Sequence, residues 1–219
     1  YKPGFDASRY LPAEAKGYQV VYKFDPTRPV VSGGVNMRYR VDNSAKIKGP
    51  FKKIAYFMAL KDKKGQVQWA FVSMDPFTDD VKKIGVPVKS ANARFQQKVA
   101  NCLVKSNVPG VKNGKYADGC NIEFWECNYG PGNAKNIPNA SSKLFDFGDS
   151  FNPKNSPGYG SMQIHNFKEK QVVICFNHFL ARRNADVGIG NRKTAHPDWT
   201  FSKNAINLTG GEMQVLVLK

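Results

Sequence analysis

Short runs in which apolar and polar residues alternate recur along most of the chain. A period of two, with β-branched and aromatic residues enriched, is typical of β-strands that bury one face. Segments rich in Gly, Pro and Asn separate the runs, as the turns between paired strands do. The predicted strands are Tyr18–Phe24, Val35–Val41, Ile54–Leu60, Val67–Met74, Arg94–Val104, Asn121–Cys127, Gly160–Phe167, Gln171–Phe179 and Met213–Leu218.

Helical periodicity is weak throughout the sequence. The best helical stretches, Thr78–Ile84 and Ser90–Phe95, cover two turns or less, which disfavours an α/β fold with crossover helices. No internal repeat and no low-complexity linker divides the chain. We therefore predict a single domain over residues 1–219 that is all-β: a two-sheet antiparallel β-sandwich, jelly-roll or concanavalin-like, with at most short helices.

The chain is strongly basic, because 33 Lys and Arg stand against 17 Asp and Glu among 219 residues, a net charge of +16. Such a balance attracts nucleic acid, an anionic membrane surface or an acidic polymer. No zinc-finger spacing, RNP-like strand, helix-turn-helix pattern or long basic tail accompanies it, so specific nucleic-acid binding is disfavoured. Two interpretations stay open: a solvated surface, and attraction of an acidic glycan. The basic residues lie mostly in predicted turns, as at Lys52-Lys53, Lys61/Lys63/Lys64, Lys82-Lys83, Arg182-Arg183 and Arg192-Lys193.

Hydrophobic residues make up 41% of the chain, enough for a sizeable core, so intrinsic disorder is disfavoured. No apolar stretch approaches the ~20 residues that a membrane-spanning helix needs. The opening Tyr1-Lys2-Pro3-Gly4 resembles the start of a processed chain, which is compatible with removal of a secretory signal. We expect a secreted or periplasmic protein without a membrane span.

The cysteines and carboxylates suggest no dedicated cofactor site. Cys102, Cys120, Cys127 and Cys175 lack the spacing of a zinc site, and they are predicted to be buried thiols or to include one bridge. A disulfide between Cys102 and Cys120, across a hairpin, stays open. No cofactor is predicted except, as one alternative to solvated turn carboxylates, a structural calcium ion. Its candidate ligands are Asp79-Asp80, Asp118, Asp146 and Asp149.

The segment from Asn121 to Glu126 combines residue types that sugar sites use. On a strand, Asn121, Glu123 and Trp125 share one face, which offers an aromatic plate together with amide and carboxylate groups. The alternative is a core Trp beside a paired Glu. Glycoside hydrolysis needs a second carboxylate across the cleft, and Glu126 lies on the opposite face. Asp146, Asp149 or Asp186 are the remaining candidates.

A second group of polar residues surrounds His165. Gln163 and His165 share a strand face, and Asn177 joins them if the turn around Lys168–Lys170 has three residues and pairs Phe167 with Gln171, whereas a two-residue turn places it on the other face. A histidine on a half-buried strand acts either as a ligand or base or as a hydrogen-bonded structural residue. The Gly-rich stretch before it places Tyr159 near the same sheet margin.

Several motifs resemble a β-domain associated with sialate O-acetylesterase-like and sialidase-like proteins of planctomycete and verrucomicrobial type bacteria. The resemblance implies an accessory domain rather than the esterase itself, because the nucleophile block of such esterases is missing. Cys120 and Cys127 stand where the resemblance leads us to expect Gly and Pro. The similar stretches are Trp69–Asp80, Ala117–Tyr129, Leu144–Asp149, Gly158–Asn166, Asp186–Asn191 and Asp198–Ala205.

Together these features predict a secreted accessory carbohydrate-binding module that acts beside glycan-degrading enzymes, with an acidic carbohydrate as partner. Two alternatives stay open: a glycan-active hydrolase, lyase or esterase that uses Glu123 or His165, and an interaction domain that recognises no sugar. The sequence does not indicate an oligomeric state. The predicted substrate-binding residues are Asn121, Glu123, Trp125, Tyr159, Gln163, His165, Asn166 and Asn177.

Overall fold

The computed structural model describes residues 4–27, 39–85, 95–125, 129–130, 150–151, 158–166, 168–169, 171–179, 185–190 and 208–219. In these ranges the chain is built from strands and short 3-10 helices, the latter at Ala7–Tyr10, Ala13–Ala15 and Val81–Lys83. The strands are β1 (Gln19–Phe24), β2 (Tyr39–Asp42), β3 (Lys53–Asp62), β4 (Val67–Met74), β5 (Phe95–Val99), β6 (Cys102–Ser106), β7 (Gly114–Tyr116), β8 (Cys120–Trp125), β9 (Tyr129–Gly130), β10 (Ser150–Phe151), β11 (Gly158–Asn166), β12 (Gln171–Phe179), β13 (Ala185–Ile189) and β14 (Leu208–Leu218).

Two antiparallel sheets dominate the fold. The first sheet has the strand order β2-β1-β14-β3-β4-β6-β7, and the second has the order β13-β12-β11-β8-β5; β9 and β10 form a separate two-stranded ribbon. The predicted all-β two-sheet sandwich with only short helices is therefore confirmed. Among the described residues, no helix is both long and apolar enough to cross a membrane.

The main core lies between the two sheets. Inward-facing residues of the first sheet, such as Tyr56 and Val72, belong to one buried cluster with Ile122, Ile164 and Ile174 of the second. The hydroxyl of Tyr56 donates to the backbone oxygen of Ile84 at 2.7 Å, so this buried polar group is satisfied. Its burial raises the pKa of Tyr56 well above its usual value.

The outer face of the first sheet carries a second apolar layer, formed with the N-terminal segment. Phe57, Phe71 and Leu216 cluster there with Ala7 and Ala15 of the first two 3-10 helices. β3 is therefore covered on both faces, which explains why its sequence loses the alternation of apolar and polar residues. Phe5, Tyr10, Leu11, Tyr18, Val20, Val67 and Trp69 border this layer.

A buried charge lies at the end of this layer. The Glu212 side chain, on β14, is only 4% exposed and is paired with the Arg40 guanidinium of β2. The Lys23 ammonium of β1 lies 3.9 Å from Glu212 Oε1. Gln214 Nε2 donates to the same oxygen at 2.7 Å, and so does the backbone amide of Ala7 at 3.3 Å. Three strands of the first sheet, β1, β2 and β14, and the first 3-10 helix thus contact one carboxylate.

The same cluster fastens the N-terminal segment to the sheet. Ser8 Oγ accepts from Lys23 Nζ and from Gln214 Nε2, both at 3.1 Å. Arg40 also donates to the backbone oxygen of Phe5 at 3.2 Å. The N-terminal segment is therefore held by polar contacts at Glu212 as well as by its apolar packing.

The long predicted strand Arg94–Val104 is in fact two strands in different sheets. β5 ends at Val99 in the second sheet and β6 begins at Cys102 in the first, so a two-residue connection crosses between the sheets. Asn101 adopts a left-handed conformation there, with φ of 51°. Its backbone amide donates to Ala117 O at 3.0 Å, which joins this turn to the next crossover.

Asp75 fixes the same turn, and its ionisation makes a pH-dependent contribution to stability. Lys53 Nζ and Asn101 Nδ2 each donate to its carboxylate at 2.6 Å, and these hydrogen bonds lower the pKa of Asp75, the bond from Lys53 most. A lowered pKa stabilises the fold above the carboxyl's unfolded value, and this gain disappears as the pH falls through the folded value.

We expect Asp75→Asn to lower the free energy of unfolding at pH 7 by under about 1 kcal/mol, since the side chain is 39% exposed and solvent screens the pair. The difference from the unmodified chain should shrink between pH 7 and an acidic pH, because the carboxyl becomes protonated in both states as the pH falls through its lowered folded pKa. Urea unfolding at the two pH values measures it. A difference that stays constant with pH would show that the charge of Asp75 does not stabilise the turn.

Candidate functional site

The second sheet has one face in the core and one face turned away from it. Ile122, Met162, Ile164 and Ile174 pack into the core between the sheets. Because side chains alternate along a strand, the residues between them occupy the opposite side, which we call the polar face. Its register positions are Gln96, Lys98, Asn121, Glu123, Trp125, Ser161, Gln163, His165, Val172, Cys175, Asn177, Asp186 and Gly188.

The strand pairing arranges the polar face in three rows across the sheet. The first row joins Lys98, Asn121, His165 and Val172; the second joins Gln96, Glu123, Gln163, Cys175 and Gly188; the third joins Trp125, Ser161, Asn177 and Asp186. The rows therefore bring together six of the predicted site residues from three strands, and His165 and Gln163 link them in the middle.

His165 forms the centre of a hydrogen-bonded group. Its Nε2 lies 2.5 Å from Gln163 Oε1, and Asn121 Nδ2 lies 3.4 Å from its Nδ1. With Gln163 Oε1 as the acceptor, the ring donates from Nε2, and with Asn121 Nδ2 as the donor, it accepts at Nδ1. All three side chains are buried, with 0 to 1% exposure.

The burial of this group determines its chemistry. Both ring nitrogens of His165 are engaged by amides, and the ring has no exposed surface. A general base needs a nitrogen that can reach a substrate proton, so this geometry favours the structural role over the catalytic one. Asn121, Gln163 and His165 tie β8 to β11 and act as the buried floor of the polar face.

The exposed margin of the polar face is basic. Lys98 lies on β5, which is an edge strand of the second sheet, and its side chain is exposed. It is in register with Asn121, one row from Glu123. Lys98 and Gln96 were not predicted as site residues, because the pattern of Arg94–Val104 indicates one continuous strand. Only the antiparallel pairing of β5 with β8 assigns them to this face.

Asn166 does not belong to the polar face. It pairs with Cys120 and Gln171, one residue out of phase with His165, and its Oδ1 accepts from the backbone amide of Glu169 at 3.2 Å. That contact supports the turn between β11 and β12. Asn166 is 2% exposed, so its part in the structure is local.

Asn177 has the register position that a three-residue turn between β11 and β12 predicts, although the two strands are connected by the four residues 167–170. β11 and β12 first pair at Asn166 and Gln171, and a bulge between the pairs Ile164↔Ile174 and His165↔Val172 then shifts the register. Beyond it, Ser161 pairs with Asn177, as that alternative required. Tyr159 lies at a second irregularity between Gly158 and Gly160, and its side chain, like those of Glu123, Trp125 and Asn177, is outside the described part.

The strand register also shows how far apart Glu123 and Asp186, a candidate pair of glycosidase carboxylates, lie on the sheet. Glu123 is on β8 and Asp186 on β13, separated by β11 and β12 and offset by one row. Three strand spacings amount to about 14 Å, beyond the roughly 5 to 10 Å that glycosidase carboxyl pairs span. This placement disfavours Asp186 as the partner of Glu123. Glu126, Asp146 and Asp149 lie outside the described residues.

The described ranges contain no group of three or more His, Cys, Asp or Glu side chains that could hold a metal ion. Asp118 is paired with Lys168, and that pairing lowers the pKa of Asp118. Asp80 accepts from the backbone amide of Lys82 and begins a 3-10 helix. Two of the candidate calcium ligands therefore already have protein partners.

Comparison of the chain with protein-family models, curated proteins and solved structures found no match. The resemblance to sialate O-acetylesterase-associated domains therefore stays an expectation from the sequence. The assignment of function depends on the polar face itself.

Proposed function

We propose that this protein is an accessory carbohydrate-binding module that binds an acidic glycan on the polar face of its second sheet. The observation that carries this proposal is the register: Glu123, Trp125, Asn177 and Asp186 occupy positions on one face, beside the buried floor centred on His165. Amide, carboxylate and aromatic groups on a rigid sheet are what sugar hydroxyls and the apolar side of a pyranose require.

Different parts of the polar face have different roles in this proposal. Asn121, Gln163 and His165 are buried and linked through the two ring nitrogens of His165, so in this proposal they set the positions of β8 and β11 and do not contact the sugar. The row of Trp125, Ser161 and Asn177 supplies the sugar contacts. Lys98, exposed on the edge strand, attracts the acidic group of the glycan.

The charge of the chain supports an acidic ligand over a neutral one. A net charge of +16 attracts polyanions over a distance of about 8 Å at physiological salt. The enzyme alternative, a hydrolase, lyase or esterase, receives less support, because both nitrogens of His165 are engaged and Asp186 is distant in register from Glu123. Secretion or export to the periplasm fits a glycan ligand and is part of the same proposal.

The role of Lys98 can be tested with a matched pair of charge reversals. We expect Lys98→Glu to weaken binding of a polyuronate or sialylated oligosaccharide by about tenfold, mainly through slower association. Lys115→Glu is the control, because Lys115 is also exposed on an edge strand, β7 of the first sheet. The two substitutions change the net charge by the same amount. Surface plasmon resonance at two salt concentrations measures both rates.

Equal losses in the two variants would show that only the overall charge matters and would contradict a site on the polar face. Indifference of binding to salt, or equal affinity for neutral and acidic glycans, would show that the positive charge serves solubility alone. Bound glycans that are converted to products, with turnover lost in Glu123→Gln, would favour the enzyme over the module. No binding to any glycan would leave the interaction domain as the better proposal.

A further inference from the structure

Two cysteines meet where the chain crosses twice between the sheets. Cys102 is the first residue of β6 in the first sheet, and Cys120 is the first residue of β8 in the second. The crossover before Cys102 consists of residues 100–101, and the one before Cys120 of residues 117–119. The hydrogen bond from Asn101 N to Ala117 O, at 3.0 Å, holds the two crossovers side by side.

The two thiols are neighbours within the core between the sheets. Both residues are only 1% exposed and belong to the cluster between the sheets. The neighbouring Cys120 thiol and burial together raise the pKa of Cys102 well above its usual range. Tyr116, the partner of Cys102 in β7, packs against the same cluster. In the structure both cysteines are reduced.

We propose that Cys102 and Cys120 are a disulfide site, and that oxidation joins the two sheets of the sandwich at this corner. The sequence suggested a bridge across a hairpin, but the two residues belong to different sheets, so the bond would link the sheets directly. Cys102 lies on β6, next to the edge strand β7, and Cys120 lies on β8, next to the edge strand β5. Because a sheet opens first at its edges, a bond at this place would limit that opening.

The oxidation needs an external disulfide as the electron acceptor, for which glutathione disulfide is the probe. One cysteine thiolate attacks it, forms a mixed disulfide and releases one glutathione; the second thiolate then displaces the other glutathione. Two protons and two electrons leave the protein for each bond formed. Because the folded thiols are buried and the Cys102 thiolate is disfavoured, the bond forms during folding and only slowly in the folded, reduced protein.

The test compares full-length protein refolded with reduced glutathione alone and with a mixture of reduced and oxidised glutathione. After alkylation and digestion, mass spectrometry should detect peptides joined through Cys102 and Cys120 only in the oxidised sample. The bond closes a loop of modest length, so we expect Tm to rise by about 5 to 10 °C. Hydrogen exchange should slow in β5 to β8 and stay the same in β1.

Two variants separate this proposal from nonspecific oxidation. Cys175→Ser should keep both the linked peptides and the gain in Tm, whereas Cys120→Ala should lose both. If Cys120→Ala fails to fold, Cys102→Ala gives the same comparison from the other sheet. Alkylation of both Cys102 and Cys120 after oxidative refolding, a dominant link to Cys127, or a bond that leaves Tm unchanged would each overturn the proposal.

Discussion

Replacing Glu212 with Gln should lower the free energy of unfolding by about 2 to 4 kcal/mol, because the change leaves the Arg40 and Lys23 charges beside a neutral amide in a largely dry site. The Glu212 side chain is 4% exposed and those of Arg40 and Lys23 are 22% exposed, so solvent compensates for little of the loss. The amide keeps the shape of the carboxylate. The effect therefore reports the charge rather than a cavity.

Asp118→Asn is the matched control for Glu212→Gln. It is the same change from acid to amide, and it removes an ion pair with Lys168, but the two side chains are 74% and 55% exposed. We expect a much smaller loss there, because solvent screens an exposed ion pair. Urea unfolding at pH 7 measures both variants. Equal effects would contradict the account of Glu212 as the buried anchor of the N-terminal segment.

Replacing Gln163 with Leu should also be costly, by about 1 to 3 kcal/mol, because it removes the acceptor of the buried His165 Nε2–H. Gln68→Leu is the control, since Gln68 lies at a half-buried position on β4 and the same substitution there should cost less than about 0.5 kcal/mol. Thermal and urea unfolding compare the two variants.

A double-mutant cycle isolates the interaction between Gln163 and His165. If the hydrogen bond is the cause, the variant with both Gln163→Leu and His165→Leu should lose less stability than the two single variants added together, by about 0.5 to 2 kcal/mol. Losses that simply add would show that the two side chains contribute independently. That result would contradict the description of Asn121, Gln163 and His165 as one buried unit.

Alternation along the chain was sufficient to predict most strands. β4 and β12 have the bounds predicted from Val67–Met74 and Gln171–Phe179, since both have clear turn residues at their ends. β7 and β13 were missed, because Gly114–Tyr116 is too short and Ala185–Ile189 too rich in small residues to form a pattern. Of the predicted helical stretches, Thr78–Ile84 contains only a 3-10 turn at Val81–Lys83, and Ser90–Phe95 lies mostly outside the described residues.

The candidate site could be predicted only within single strands. The period of two correctly grouped Gln163 with His165, and Asn121 with Glu123 and Trp125, because side chains alternate whatever the fold. Which strands lie next to each other is a non-local property, so the pairing of β11 with β8 and of β5 with β8 was not accessible. The same holds for Glu212 and Arg40, which are 172 residues apart in sequence and meet only through the pairing of β14, β1 and β2.

The most direct test of glycan binding by the polar face is amide chemical-shift mapping during titration with an acidic oligosaccharide. If the polar face binds the glycan, the largest amide shifts are expected at Trp125, Ser161 and Asn177, with smaller changes at Lys98 on the edge strand. The amide chemical shifts of residues in the apolar outer layer of the first sheet, such as Phe57 and Trp69, should stay unchanged. Shifts confined to the first sheet, or none on β8, β11 and β12 at millimolar oligosaccharide, would contradict it.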